Sequence, residues 1–209
     1  MATAVVVTAL ADALAAHPGV PVAVDIPIGL IDDGPREADQ AVRGLLRGAG
    51  ARVFPAPPRR IITALAAGEV TDHAAASALA RAHTGRGLSQ QTWRICDKIA
   101  EVDALVAADA ADLREVHPEL AFARLADGTP LPRKRSYDGV RRRLDLLAAA
   151  GLEVPAGSAA GSAAIDDVLD ATACAWVGLA LADGAGAEPV PAQTRQRDHG
   201  RPVVMWTRG

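Results

Sequence analysis

Apolar residues follow two different periods along this chain, and the switches between them mark out its elements. Short β-branched runs read as buried strands: "AVVVT" at 4–8, Val20 to Ile28 in "VPVAVDIPI", and Leu113 to Val116. Between the first two, "ALADALAAH" at 9–17 has helical spacing and "HPGV" breaks it, an order β-α-β that calls for parallel pairing. From 32 to 110 the pattern is mostly helical. Acids and Pro35 open one helix that Gly48 and Gly50 close, a Pro-rich turn in "ARVFPAPPRRIITALAAG" leads into a second, and Thr71 to His83 predicts a third. Trp93, Ile95, Ile99, Val102 and Leu105 then recur at core spacing on a long amphipathic helix. After the strand that His117 and Pro118 end, "YDGVRRRLDLLAAAGLEVP" is helical. "SAAIDDVLDATACAWVGLALADG" is a longer helix, opened by Ser162 or the acids behind it and stopped by Gly184. "GRPVVMWT", after the turn "DHGR", predicts a late edge strand.

Parallel strands separated by helices predict an α/β layered domain. In such sheets, groups at the carboxyl ends of strands converge on a crevice. Asp25 stands at one such end, where Pro27 and Gly29 stop the strand, and an acid there asks for a partner.

Composition narrows the classes. With 50% hydrophobic and 22% charged residues the chain is an ordinary globular one, but only 3% are aromatic. Ala, Val, Leu and Ile must therefore build the core, with Trp93, Trp176 and Trp206 as large fillers. A net charge of −3 and a pI near 5.9 exclude a uniformly basic nucleic-acid surface, not a local basic patch. Cys96 and Cys174 are too few for a disulfide framework or a zinc site, which favours a reducing compartment. The opening segment has no basic n-region, and Asp12 and His17 interrupt it well short of the roughly 20 apolar residues of a membrane span. The expected location is the cytoplasm, with no membrane partner.

The candidate chemistry lies in acids. In "DDVLDA", Asp167 and Asp170 are three apart and Asp166 and Asp170 four apart, so either pair shares a helix face. Acids in a first helical turn are also favoured by the helix dipole, by roughly 0.3 to 1 kcal/mol each. Glu115, His117 and Glu119 flank the other strand end; each has a plain reading as a solvated acid or a turn histidine, and Glu115 reads equally as an auxiliary ligand or base. Carboxylates gathered from separate segments repel unless a cation sits among them, and all-oxygen ligation suits Mg2+ or Mn2+. Such ions cleave phosphodiesters.

"VAVDIPIGL", "VFPAPPR", "GRGLSQQTWRICDKIAEVD", "EVHPELAFARL" and "DDVLDATACAW" resemble the bacterial and archaeal family of unknown function numbered 429, described as predicted nucleases of ribonuclease H-like fold; the likeness runs from about Val20 to Trp206. It implies a single ribonuclease H-like domain over 1–209 with a helical insertion at about 32–110. The "DVLDA" spacing resembles the Asp-x-x-Asp-Ala helix of Holliday-junction resolvases, which makes Asp25, Asp167 and Asp170 the metal-ligand candidates. Family members begin with a Gly-x-Asp strand and a β-hairpin, and no Gly-x-Asp precedes "MATAVVVT". The expectation is therefore a sheet without the family's first strands, either because the true start lies upstream of Met1 or because the strands are lost. Their absence would bare an edge that a second copy covers as a homodimer.

Basic and polar segments supply phosphate candidates. "PRKRSYDGVRRR" concentrates Lys134 and Arg135 with four further arginines, "FPAPPRR" presents Arg59 from a stiff loop, and "GRGLSQQTWRICDK" offers Gln90 and Arg94 behind a Ser89 cap. The Gly-Lys-Ser/Thr ending of a phosphate loop is missing, as are the Gly-x-Ser-x-Gly elbow and the dinucleotide fingerprint. The leading expectation is a Mg2+- or Mn2+-dependent nuclease or phosphodiesterase using Asp25, Asp167, Asp170 and Glu115, acting on nucleic acid or a phosphorylated small molecule. The alternative is an inactive binding or assembly module that lacks the first-strand acid.

Overall fold

The computed structural model describes residues 6–7, 9–46, 48–154, 161 and 163–209. Helix α1 (Leu10–Ala16) precedes strand β1 (Val22–Val24). The chain then runs through α2 (Glu37–Leu45), α3 (Arg59–Ala66), α4 (His73–Thr84), α5 (Gln90–Arg94) and α6 (Cys96–Ala107) before returning as β2 (Leu113–Glu115). Helices α7 (Pro118–Leu125), α8 (Tyr137–Ala149) and α9 (Ile165–Ala182) come next, then β3 (Ala187–Val190), the hairpin β4 (Arg197–Asp198) and β5 (Arg201–Pro202), and β6 (Met205–Arg208). Local chemistry sets several boundaries. Asp72 caps α4 by accepting from the Ala75 N–H at 2.8 Å, Ser89 and Ser136 cap α5 and α8 in the same way, and Pro118 opens α7 where no N–H is needed.

Strand β1 pairs in parallel with β2, Val22 facing Leu113 and Val24 facing Glu115, and the Val116 N–H extends the ladder to the Val24 carbonyl at 2.9 Å. Strands β3 and β6 pair antiparallel, and a parallel bridge between Val116 and Trp206 joins the two pairs. Helix α9 packs on β1, α7 and α8 around Val116, Phe122, Leu147, Leu169, Ala173 and Val177, all nearly or wholly buried. A second apolar cluster joins α3, α4 and α6 through Ile61, Ile62, Ala76, Ala80 and Ile99. Each such large aliphatic or aromatic side chain removed from water contributes about 1.5–3 kcal/mol.

A mixed α/β architecture is thus present, with differences from expectation that have physical causes. Most of the strand expected at 4–8, and Ser162 at the start of α9, lie outside the described residues. The parallel partner of β1 is β2. The strand expected over Val20 to Ile28 shrinks to three residues because the Ile28 N–H and carbonyl are taken by the Glu115 carboxylate and the Arg36 guanidinium instead of a ladder. The long helix expected after Ser89 breaks at Ile95 (φ −108°, ψ 3°), where the Thr92 hydroxyl reaches out to the Pro55 carbonyl. The last strand, β6, pairs with β3 on one side and makes a single bridge to Val116 on the other, and Pro189, which cannot donate to a ladder, lies on β3. No helix among the described residues is long and apolar enough to cross a membrane.

Candidate active site

The carboxyl ends of β1 and β2 open into a cleft of about 730 Å³. Asp25 stands one residue past β1, and Glu115 ends β2 with Val116 and His117 just beyond it, so the parallel register alone brings these segments to one place. What fixes the walls is a buried charge network. Arg36, at the head of α2, donates to both Glu115 carboxylate oxygens and to Asp39, and it also holds the carbonyls of Ile28 (2.6 Å) and Gly29 (2.9 Å). Glu115 accepts from the Ile28 N–H at 2.7 Å, and Asp39 from the Ala56 N–H at 3.0 Å. The loop after β1, the start of α2, the end of β2 and the Pro-rich loop are thereby clamped together. Gly29 is required in this clamp, since it sits at φ 84° and an added Cβ would lie 2.8 Å from Val203 Cγ2.

Burial opposes the charge on Arg36, but Glu115 and Asp39 outweigh it and the guanidinium stays charged. Burial pushes the Glu115 carboxyl up, while Arg36 and the Ile28 N–H hold it back. Glu115 is therefore committed to Arg36, in the wall of the cleft.

Asp25 has no such partner among the described residues. It is open to the cleft and hemmed by protein elsewhere, and its carboxyl is pushed up to about 8, first by desolvation and then by the charges of Asp170 and Glu115; water on the open side tempers this. Asp170, from the first half of α9, lines the same cleft. Lys134 pairs with its Oδ2 at 2.7 Å, while Oδ1 is buried with no hydrogen-bond partner among the described residues. Burial pushes Asp170 up and Lys134 holds it down. His117 resembles it: Nδ1 is buried and unpartnered among the described residues, and burial lowers the imidazole pKa, which keeps the ring neutral at pH 7. Glu119 is held by Arg52 and by the wholly buried Arg143 at 2.9 Å.

The basic stretch ahead of α8 forms another wall. Lys134 and Arg135 line the cleft, Arg135 pairing with Asp166 at 2.9 Å, and Arg133 makes no ion pair among the described residues. On α9 the acids that meet Lys134 are Asp166 and Asp170, four apart; Asp167 faces solvent and does not line the cleft.

Three expected phosphate holders lie elsewhere. Arg59 is bound to Asp103 (2.7 and 3.1 Å) and Asp198, tying α3 to α6 and the β4–β5 hairpin. Gln90 bonds the His73 ring at 2.9 Å, and Arg94 is exposed and outside the lining, whereas the neighbouring Gln91 and Thr92 do line it. His199 and Gly200, both at positive φ, make the two-residue hairpin turn that brings His199 to 3.1 Å from Asp103. Asp103, Asp198 and His199 so present ligand atoms within 4.8 Å of one another, a grouping able to hold a metal ion; in this structure the Arg59 guanidinium supplies the positive charge there. Phe54, Arg52 and His117 complete the lining, with Arg36 buried behind the wall, and of these only His117 was a candidate from the sequence.

No curated protein and no solved structure matches the chain. A family profile does match, over residues 2–195, which is nearly the whole chain. The chain belongs to the family described as Protein of unknown function (DUF429).

Proposed function

We propose that this protein is a metal-dependent phosphodiesterase or nuclease built on a ribonuclease H-like core, with its active site in the cleft at the ends of β1 and β2. One arrangement supports the reading: two carboxyls from distant segments, Asp25 and Asp170, border a single cleft rimmed by Lys134, Arg133 and Arg135. The packing of α9 on β1, with β1 parallel to β2, agrees with such a core.

The residues fit a hard divalent cation. Asp170 Oδ1 is a buried acceptor without a donor among the described residues, and Asp25 lies near other acids and makes no ion pair among the described residues, with Lys134 only partly offsetting them. Asp25 and Asp170 would hold Mg2+ or Mn2+, which when bound supplies charge stabilisation at a phosphoryl oxygen. Asp167 is not part of this set, and Glu115 acts by fastening the wall through Arg36.

The chain's own groups place the substrate. Arg133, Lys134 and Arg135 bind and orient the phosphodiester. The attacking water loses its proton to solvent as its oxygen bonds to phosphorus, while His117, neutral and with Nδ1 buried, stays in the wall of the cleft. The bond to the leaving oxygen breaks, and that oxygen takes a proton from solvent.

The test is hydrolysis of bis(p-nitrophenyl) phosphate and of short oligonucleotides with Mn2+ or Mg2+. Asp170→Asn should lower the rate by about 100-fold or more, the scale of losing a group that stabilises transition-state charge, with the thermal midpoint unchanged or raised. Equal activity in the variant refutes the assignment.

A further inference from the structure

The two phenylalanines of this chain have opposite fates. Phe122 is wholly buried against Arg143, whereas Phe54 is 44% exposed and lines the cleft. A singly exposed apolar side chain is ordinary on a protein surface; Phe54 differs in lying inside the cleft, among its charged groups.

The backbone on both sides of Phe54 is anchored. The Val53 carbonyl accepts from Arg43 at 2.8 Å, the Pro55 carbonyl from Thr92 Oγ1 at 3.2 Å, and the Ala56 N–H donates to Asp39 at 3.0 Å. Pro55, Pro57 and Pro58 stiffen the chain on its C-terminal side. A flat, solvent-facing ring on an anchored stretch of backbone can serve as a stacking platform, and it stands in the same cleft as the Arg133–Arg135 stretch. Gln91, exposed on the same side, carries an amide able both to donate and to accept at a base edge, with no partner among the described residues.

Resting on the phosphodiesterase reading of this cleft, we propose that its substrate is an unpaired nucleotide, with the base laid on Phe54 beside Gln91 and the phosphate on Arg133, Lys134 and Arg135. Size agrees. At about 730 Å³ the cleft is in the range that encloses one small molecule, and a base reaches such a pocket only when it is out of a double-helical stack. A cation-lined rim without an aromatic platform would suit a bare sugar phosphate; the ring adds the selection for a base.

The experiment is equilibrium binding in Mg2+ of 5′-AMP, a hydrolysis product that needs no turnover, beside ribose 5-phosphate, a single-stranded tetranucleotide and a 12-base-pair duplex. AMP should bind more tightly than ribose 5-phosphate. Phe54→Ala should weaken AMP by roughly 5- to 150-fold, the range for one stacked base, leave ribose 5-phosphate unchanged, and be rescued by Phe54→Trp. A tetranucleotide binding tenfold tighter than AMP identifies a strand, and equal affinity identifies a free nucleotide; both support the proposal. AMP no tighter than ribose 5-phosphate, an unchanged affinity in Phe54→Ala, or a duplex that outbinds the single strand overturns it. Turnover of bis(p-nitrophenyl) phosphate reads the hydrolytic reading separately. Stacking without that turnover leaves the platform standing and sinks the hydrolase, and turnover without stacking does the opposite.

Discussion

The Asp25 carboxyl, pushed up to about 8 from an ordinary 3.8, makes stability depend on pH in a defined direction. Between those values the unfolded chain has released this proton and the folded chain has kept it. The folded state therefore binds more protons, and stability falls as pH rises through the window. Burial raises Asp170 as well, with the same sign, while the lowered His117 destabilises the fold as pH falls. Comparison with Asp25→Asn isolates the one group: its thermal midpoint should gain on that of the metal-free wild type as pH goes from 5 to 8. A difference that stays constant over that range would show that Asp25 titrates normally.

At the scale of elements, the cleft is held open by side chains acting between segments. Arg36 reaches from the head of α2 to Glu115 at the end of β2 and to the carbonyls of the loop carrying Asp25. Arg36→Met leaves Glu115 and Asp39 buried without a counter-ion. This should destabilise by about 3–5 kcal/mol in a urea titration, against less than about 1 kcal/mol were it a surface pair. The elements were largely legible in the sequence, because strand and helix periods, Ser and Asp caps and Pro positions act locally. Asp25 was legible as an acid at a strand end, and Lys134 and Arg135 as a basic stretch. The Arg36–Glu115 pair was not, since its members are 79 residues apart and leave no local trace. Arg59 misleads for the same reason: its stiff loop predicts exposure to solvent, but Asp103 and Asp198, 44 and 139 residues away, claim it. In "DDVLDA" the spacing left two faces open, and packing of α9 through Leu169 and Ala173 chose the one shared by Asp166 and Asp170.

For the whole molecule, the cleft joins two apolar clusters. The strand ends and α9 supply Asp25, Glu115 and Asp170, while the Pro-rich loop supplies Phe54 and α5 supplies Gln91 and Thr92. The central claim is that Asp25 and Asp170 converge to take a divalent cation, and the alternative holder is Asp103, Asp198 and His199. Calorimetric titration with Mn2+ separates them most directly. The account predicts a single binding event in the wild type that Asp25→Asn and Asp170→Asn each abolish and Asp103→Asn leaves intact. Binding that survives in Asp25→Asn and Asp170→Asn but is lost in Asp103→Asn, or no binding to the wild type, would contradict it.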